Sequence, residues 1–177
     1  DEKIHLVGHS YGGTISYHLA MTSPNLIKSL TLIEPMLGWL LDPEKDSRCY
    51  GELLSIAEYF WEQYSVGKAE AGIKRYFDYW NGNGAWASLE KEISKYVLDG
   101  AEKNFYEFEA IFDEGKGLIN PKEFSQPVLL IGGAVSQPPP LRILEILEDQ
   151  FPNVQRHLID GGTHMSPITH SAQVNSL

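Results

Sequence analysis

Near its start the chain reads Gly8-His9-Ser10-Tyr11-Gly12-Gly13, which sets a serine between two glycines in the pattern G-x-S-x-G. A serine hydroxyl is a poor nucleophile until a base removes its proton, so such a serine needs an imidazole and a third group to orient that imidazole. Before it, Ile4-His5-Leu6-Val7 is a short, mostly apolar run suited to a buried parallel strand. After it, residues 14–21 contain no Gly or Pro and can run as a helix until Pro24. Strand, tight turn with serine at the apex, and helix form the setting of a nucleophile elbow. The two glycines are expected to leave room for a strained turn. The helix then opens beneath the site, so its N–H groups face developing negative charge, with the Tyr11 N–H as one oxyanion donor. Ser10 is the candidate nucleophile.

Six histidines could supply the base. His5 and His157 fall within expected strands and His18 on the helix after the elbow, where packing or solvent is their ordinary role. His9 adjoins Ser10, but neighbours on a sharp turn point apart, which suits it to support. His164 follows Gly161-Gly162 directly after the last expected strand, at the sheet edge where Ser10 stands. It is the candidate base, with His170 the weaker choice. The orienting acid belongs at the end of the strand before the His strand, yet Gly132-Gly133-Ala134-Val135-Ser136-Gln137 holds no carboxylate. Glu34 ends the second expected strand at the correct edge and is favoured. Asp160 is the alternative, only four residues from His164 across a Gly-Gly turn.

The elements that must hold these residues alternate. Strands are expected over 4–7, 26–33, 127–131 and 153–159, with helices over 13–22 and 141–151. Pro35 should end the second strand and bias Glu34 toward an extended conformation. From Gly38 the pattern changes to helical spacing over 52–64, 69–80, 85–96 and 101–112, rich in Trp, Tyr and Phe. The expected organisation is a core over 1–37, an all-helical lid over 38–118 and a returning core over 119–177. This makes an α/β fold whose parallel strands carry chemistry at their C-terminal ends. Most lid aromatics pack between helices. Trp39, Trp80 and Trp86 are candidates for contact with substrate.

Composition narrows the class. The chain has 177 residues, 42% of them apolar, and no apolar run near transmembrane length. A net charge of −10 argues against nucleic acid or an anionic membrane as partner. Cys49 is the one cysteine, so no internal disulfide forms, which suits a reducing, cytoplasmic setting. No His, Cys and acid cluster has ligand spacing, so neither metal nor organic cofactor is expected. The expected partner is a small acyl compound, and the sequence sets no oligomeric state.

At the two motifs Gly8-His9-Ser10-Tyr11-Gly12-Gly13 and Gly162-Thr163-His164-Met165 the chain resembles the α/β-hydrolase superfamily, specifically its lid-bearing serine hydrolases. The resemblance implies that the four strands are strands five to eight of an eight-stranded sheet, with the lid between six and seven. Some members carry the acid after strand six, where Glu34 stands. It also implies that four strands and the loop giving a second oxyanion N–H are missing, so the chain reads as the C-terminal part of such an enzyme, expected to be inactive alone. The implied activity is hydrolysis of an ester or related acyl bond of a small, apolar substrate through an acyl-enzyme, with Ser10, His164 and Glu34 as triad. The alternative is a catalytically silent binding or interaction protein of the same fold.

Overall fold

The computed structural model describes residues 2–113, 118 and 120–177. Four strands, β1 (Ile4–His9), β2 (Ile27–Ile33), β3 (Val128–Gly133) and β4 (Val154–Ile159), pair in the order β1-β2-β3-β4, all parallel. Parallel neighbours need crossovers, and α1 (Tyr11–Thr22) makes the first. The second crossover holds α2 (Ser47–Ser65), α3 (Ala69–Asn81), α4 (Lys91–Asp99) and α5 (Ala101–Asp113); the third is α6 (Pro138–Gln150). Two short helices, α7 (Ser166–Thr169) and α8 (Ser171–Val174), close the chain. No described helix is long and apolar enough to cross a membrane.

The elements differ from expectation at informative places. The expected helix over 85–96 is instead a 3-10 turn, Trp86–Ser88, followed by α4 from Lys91. The turn is held to α3 because the Trp86 N–H donates to the Asp78 carboxylate at 2.7 Å. Helix α6 begins at Pro138 rather than at Leu141, since prolines fit a first turn whose N–H groups lack intrahelical partners. Of the lid expected over 38–118, residues 114–117 lie outside the described ones, as does Ile119 at its far boundary.

One core runs through both parts. Leu30, Leu32 and Leu130 on one sheet face join Tyr17 of α1 and Leu144 of α6, and the same cluster continues into Phe60, Ile73 and Phe108 of the insertion. Ring contacts carry it outward, with Phe60 and Phe108 at 5.3 Å and Tyr76 edge-on to Phe108 at 5.3 Å. The insertion is therefore packed on the sheet layer as one body. An ion pair adds to this: Arg142 Nε of α6 meets the Asp46 carboxylate, ahead of α2, at 2.7 Å.

The sheet is dressed unevenly. Among the described residues strand β1 pairs only with β2 and exposes Val7 at 62%, and α1 beside it exposes Ile15 and Leu19. An unpaired edge flanked by apolar surface templates association. The 177-residue chain is expected to self-associate with rising concentration in light scattering after size exclusion, and Val7→Lys to shift it toward monomer. A concentration-independent monomer would contradict this.

The Arg142 hydrogen bond holds the Asp46 carboxyl below the usual carboxylate range. A depressed folded-state pKa contributes stability above the unfolded value of about 3.9, lost as pH falls through the folded one. Asp46→Asn should thus lower the thermal midpoint at pH 7, with the gap to the parent closing below about pH 4. An equal deficit at both pH values would mean that Asp46 acts through packing alone.

Candidate active site

Ser10 stands between β1 and α1 with φ 55° and ψ −127°, a backbone state that non-glycine residues rarely adopt. The turn is pinned by its main chain. The Ser10 N–H donates to the Ile33 carbonyl at 3.0 Å, and the Ser10 carbonyl accepts from Gly13 at 2.9 Å and Met36 at 3.3 Å. Only one of the two motif glycines is sterically required. A Cβ on Gly8 would lie 2.3 Å from the Gly12 carbonyl oxygen, whereas one on Gly12 meets nothing within 4 Å. The expectation that both glycines make room is corrected accordingly.

Glu34 sits just past β2, buried to 1% exposure. Its φ is 41°, so the extended conformation expected before Pro35 is overturned. The surroundings over-determine it. Its N–H donates to the Ile131 carbonyl at 3.0 Å. Its Oε1 accepts from the Gly133 N–H at 2.7 Å and from the Ser136 hydroxyl at 2.5 Å. Its Oε2 lies 2.8 Å from His164 Nδ1.

His164, 3% exposed, follows β4 and reaches back over the sheet edge. Its Nε2 lies 3.0 Å from Ser10 Oγ. An ionised carboxylate only accepts, so Nδ1 carries the hydrogen toward Glu34 and Nε2 is left to accept from the serine hydroxyl. Two other rings touch the imidazole. Trp80 of α3 lies 4.1 Å away between centroids at 33°, and His9 lies 4.8 Å away. His9 Nε2 also donates to the His164 carbonyl at 2.7 Å, tying the loop after β4 to β1. Burial foremost, then the nearby His164, pushes the His9 pKa down.

Ser10, His164 and Glu34 are thus drawn into one hydrogen-bonded line, and Asp160 is not part of it. Asp160 is exposed, and His164 Nδ1 is taken by Glu34. Tyr11, the first residue of α1, borders the same cavity as Ser10. Trp80 borders it as well. The other two candidate tryptophans pack elsewhere: Trp39 against Tyr17 at 6.3 Å and Trp86 against Phe77 at 5.8 Å. Of the remaining histidines, His5 pairs with the Ser29 hydroxyl at 2.6 Å and His170 with Thr169 at 2.8 Å.

The space over Ser10 has two parts. An open cleft of about 790 Å³ is lined by Ser10, His164, Trp80 and residues of α4 and α5. A narrow recess of about 20 Å³ adjoins it, room for about one water-sized group, with Ser10, Met36, Phe108 and Glu107 in its walls and Tyr76, Trp80 and Asn104 bordering both recess and cleft. A depression of about 830 Å³ elsewhere, between Tyr64 and Glu102, touches none of these three residues and is a seam between helices. Among the described residues no group of His, Cys, Asp and Glu is arranged to hold a metal ion. Sequence reasoning missed Ser136, Asn104 and Glu107. The first stands in the stretch searched for an acid, and the other two share a helix face at spacing three.

A family profile described as the alpha/beta hydrolase fold matches residues 1–78. Lipase LipV of Mycobacterium tuberculosis is 27% identical over 99 residues, a match covering 56% of this chain and 33% of the lipase. An esterase from Exiguobacterium antarcticum superposes with a TM-score of 0.68 at 13% identity, covering 99% of this chain and 65% of that one. A thermophilic esterase gives 0.66 at 20%, covering 98% and 63%. The 2-hydroxy-6-oxo-6-phenylhexa-2,4-dienoate hydrolase of Rhodococcus sp. strain RHA1 gives 0.60 at 17%, covering 99% and 62%. The chain therefore spans a third of the lipase and less than two thirds of each of these structures.

Proposed function

We propose that the chain, as a member of the α/β-hydrolase superfamily, is the catalytic part of a serine hydrolase cleaving an ester or related acyl bond of a small substrate. The observation that carries this reading is the line from Ser10 Oγ to His164 Nε2 at 3.0 Å and from His164 Nδ1 to Glu34 at 2.8 Å.

In this mechanism His164 Nε2 takes the Ser10 proton as Oγ attacks the acyl carbon. Glu34 holds the imidazole in the required tautomer and stabilises the imidazolium that forms. The oxyanion develops over the start of α1, where the Tyr11 N–H donates to it and the helix end favours negative charge. Collapse breaks the bond to the leaving group, and His164 returns its proton there. Water, deprotonated by the same imidazole, then attacks the acyl-enzyme and frees Ser10. The insertion serves as the lid over this site, with Trp80 as its contribution nearest the reacting groups.

A fluorophosphonate probe should label the protein at Ser10, and Ser10→Ala should abolish labelling while leaving the circular dichroism spectrum unchanged. Wherever ester turnover is measurable, Ser10→Ala should lower kcat by about 10⁶ and Glu34→Gln by about 10⁴, since triad members act as a unit. Asp160→Asn should stay within about twofold of the parent, as an exposed residue outside the line. An unlabelled Ser10 would favour a silent binding protein, and a dead Asp160→Asn beside an active Glu34→Gln would reverse the assignment of the acid.

A further inference from the structure

The recess beside Ser10 is not uniformly greasy. Its walls are apolar at Met36, Trp80 and Phe108, but Tyr76 of α3 and Asn104 and Glu107 of α5 border the same space. An apolar pocket with a few converging polar groups is the ordinary form of a site that reads one functional group on a ligand. Two of the three have hydrogen-bonding capacity to spare. Neither the Tyr76 hydroxyl nor the Asn104 side-chain amide is hydrogen-bonded to another described residue, while the Asn104 N–H closes its own helix onto Gly100 at 3.1 Å. Glu107 Oε1 accepts from Lys103 Nζ at 2.6 Å. Burial foremost, then the Glu107 charge, pushes the Tyr76 phenol up to about 12, so it remains an O–H donor across the neutral range.

The charges decide which group this recess suits. Glu107 opposes an anionic tail directly, and Lys103, which borders the outer cleft, already occupies the place a cationic tail would take. A neutral group that both donates and accepts satisfies Tyr76, Asn104 and Glu107 together, whereas a plain alkyl chain would cover their polar atoms and leave them dry. We propose that the acyl group lies in the cleft and that the recess bordered by Tyr76, Asn104 and Glu107 selects one bearing a hydroxyl that enters it. Asn104 and Glu107 are then the specificity-determining residues of the site. This deepens the hydrolase reading, since the recess opens at Ser10.

The test separates the two ideas by measuring binding without chemistry. In Ser10→Ala protein, quenching of Trp80 emission would follow binding of N-methyl amides of butanoic, hexanoic and octanoic acids, their ω-hydroxy counterparts and their ω-carboxy counterparts. Trp80→Phe serves as the control that the signal arises in the recess. At the length that brings the terminal group to the recess, the ω-hydroxy amide should bind at least tenfold more tightly than the alkyl amide, and the ω-carboxy amide least well. Asn104→Leu should bring the hydroxyl preference to within about threefold. Glu107→Gln, which leaves Lys103 unpaired, should improve ω-carboxy binding at least tenfold. Alkyl amides binding as tightly as ω-hydroxy amides at all three lengths would overturn the proposal, and this comparison needs no variant of the recess. Failure of the hydrolase reading would appear separately, as a wild-type Ser10 that no fluorophosphonate labels.

Discussion

A carboxylate buried to 1% exposure cannot be left short of hydrogen bonds, because an unpaired charge in a dry interior is far costlier than a paired one. Glu34 meets this constraint by drawing on separate pieces of chain: the Gly133 N–H at the end of β3, the Ser136 hydroxyl beyond it and the imidazole after β4. Its own N–H reaches the Ile131 carbonyl. Three strand ends are thereby registered against one side chain. Ser10 is fixed to the same frame, because its N–H uses the carbonyl of Ile33, the residue before Glu34. The positive φ at Glu34 is the cost, and the surrounding bonds offset it.

The close approach of loops follows from the same convergence. A Cβ on Gly133 would lie 2.3 Å from the Gly162 carbonyl oxygen, so the chain after β3 and the loop bearing His164 touch backbone to backbone. The helical insertion enters this frame at two points. Trp80 lies against the His164 ring, and the Tyr79 carbonyl accepts from the Gln137 side chain at 2.5 Å. Helix α3 is thus joined both to the imidazole and to the loop that carries Ser136. Displacing the insertion would disturb the neighbours of His164 as well as the walls of the cleft.

How much of this could be read from the sequence depended on distance along the chain. The α/β alternation, the four strands and the helical insertion were legible because each rests on local periodicity and on short-range signals from Pro and Gly. Ser10, His164 and Glu34 could be singled out because strand ends of a parallel sheet fall on one edge, so three positions far apart in sequence become candidates for one place. What failed was set by tertiary contact. The rule that a residue before proline is extended gave way at Glu34 to a buried network. Trp39 and Trp86 were indistinguishable from Trp80 by type and spacing, and only packing separates a ring in a core from a ring on an imidazole. Asn104 and Glu107 carry no signature except shared helix face, which a solvated surface would also show.

Ser136 stands in the loop where the sequence lacks an acid, yet its hydroxyl donates to Glu34 Oε1. The end of β2 and the loop after β3 are therefore one hydrogen bond apart in space, although 102 positions separate Glu34 from Ser136 along the chain. A carboxylate placed at position 136 would stand beside the same donors without rebuilding the pocket. A lineage that acquires a second carboxylate at the loop would pass through a pair sharing one proton, since like charges at that separation do not both ionise. Once the older carboxylate is lost, the donors from β3 and from the imidazole remain to receive the newcomer. The site is built as a ring of donors around one carboxylate, and the ring draws on β3, the loop beyond it and the imidazole.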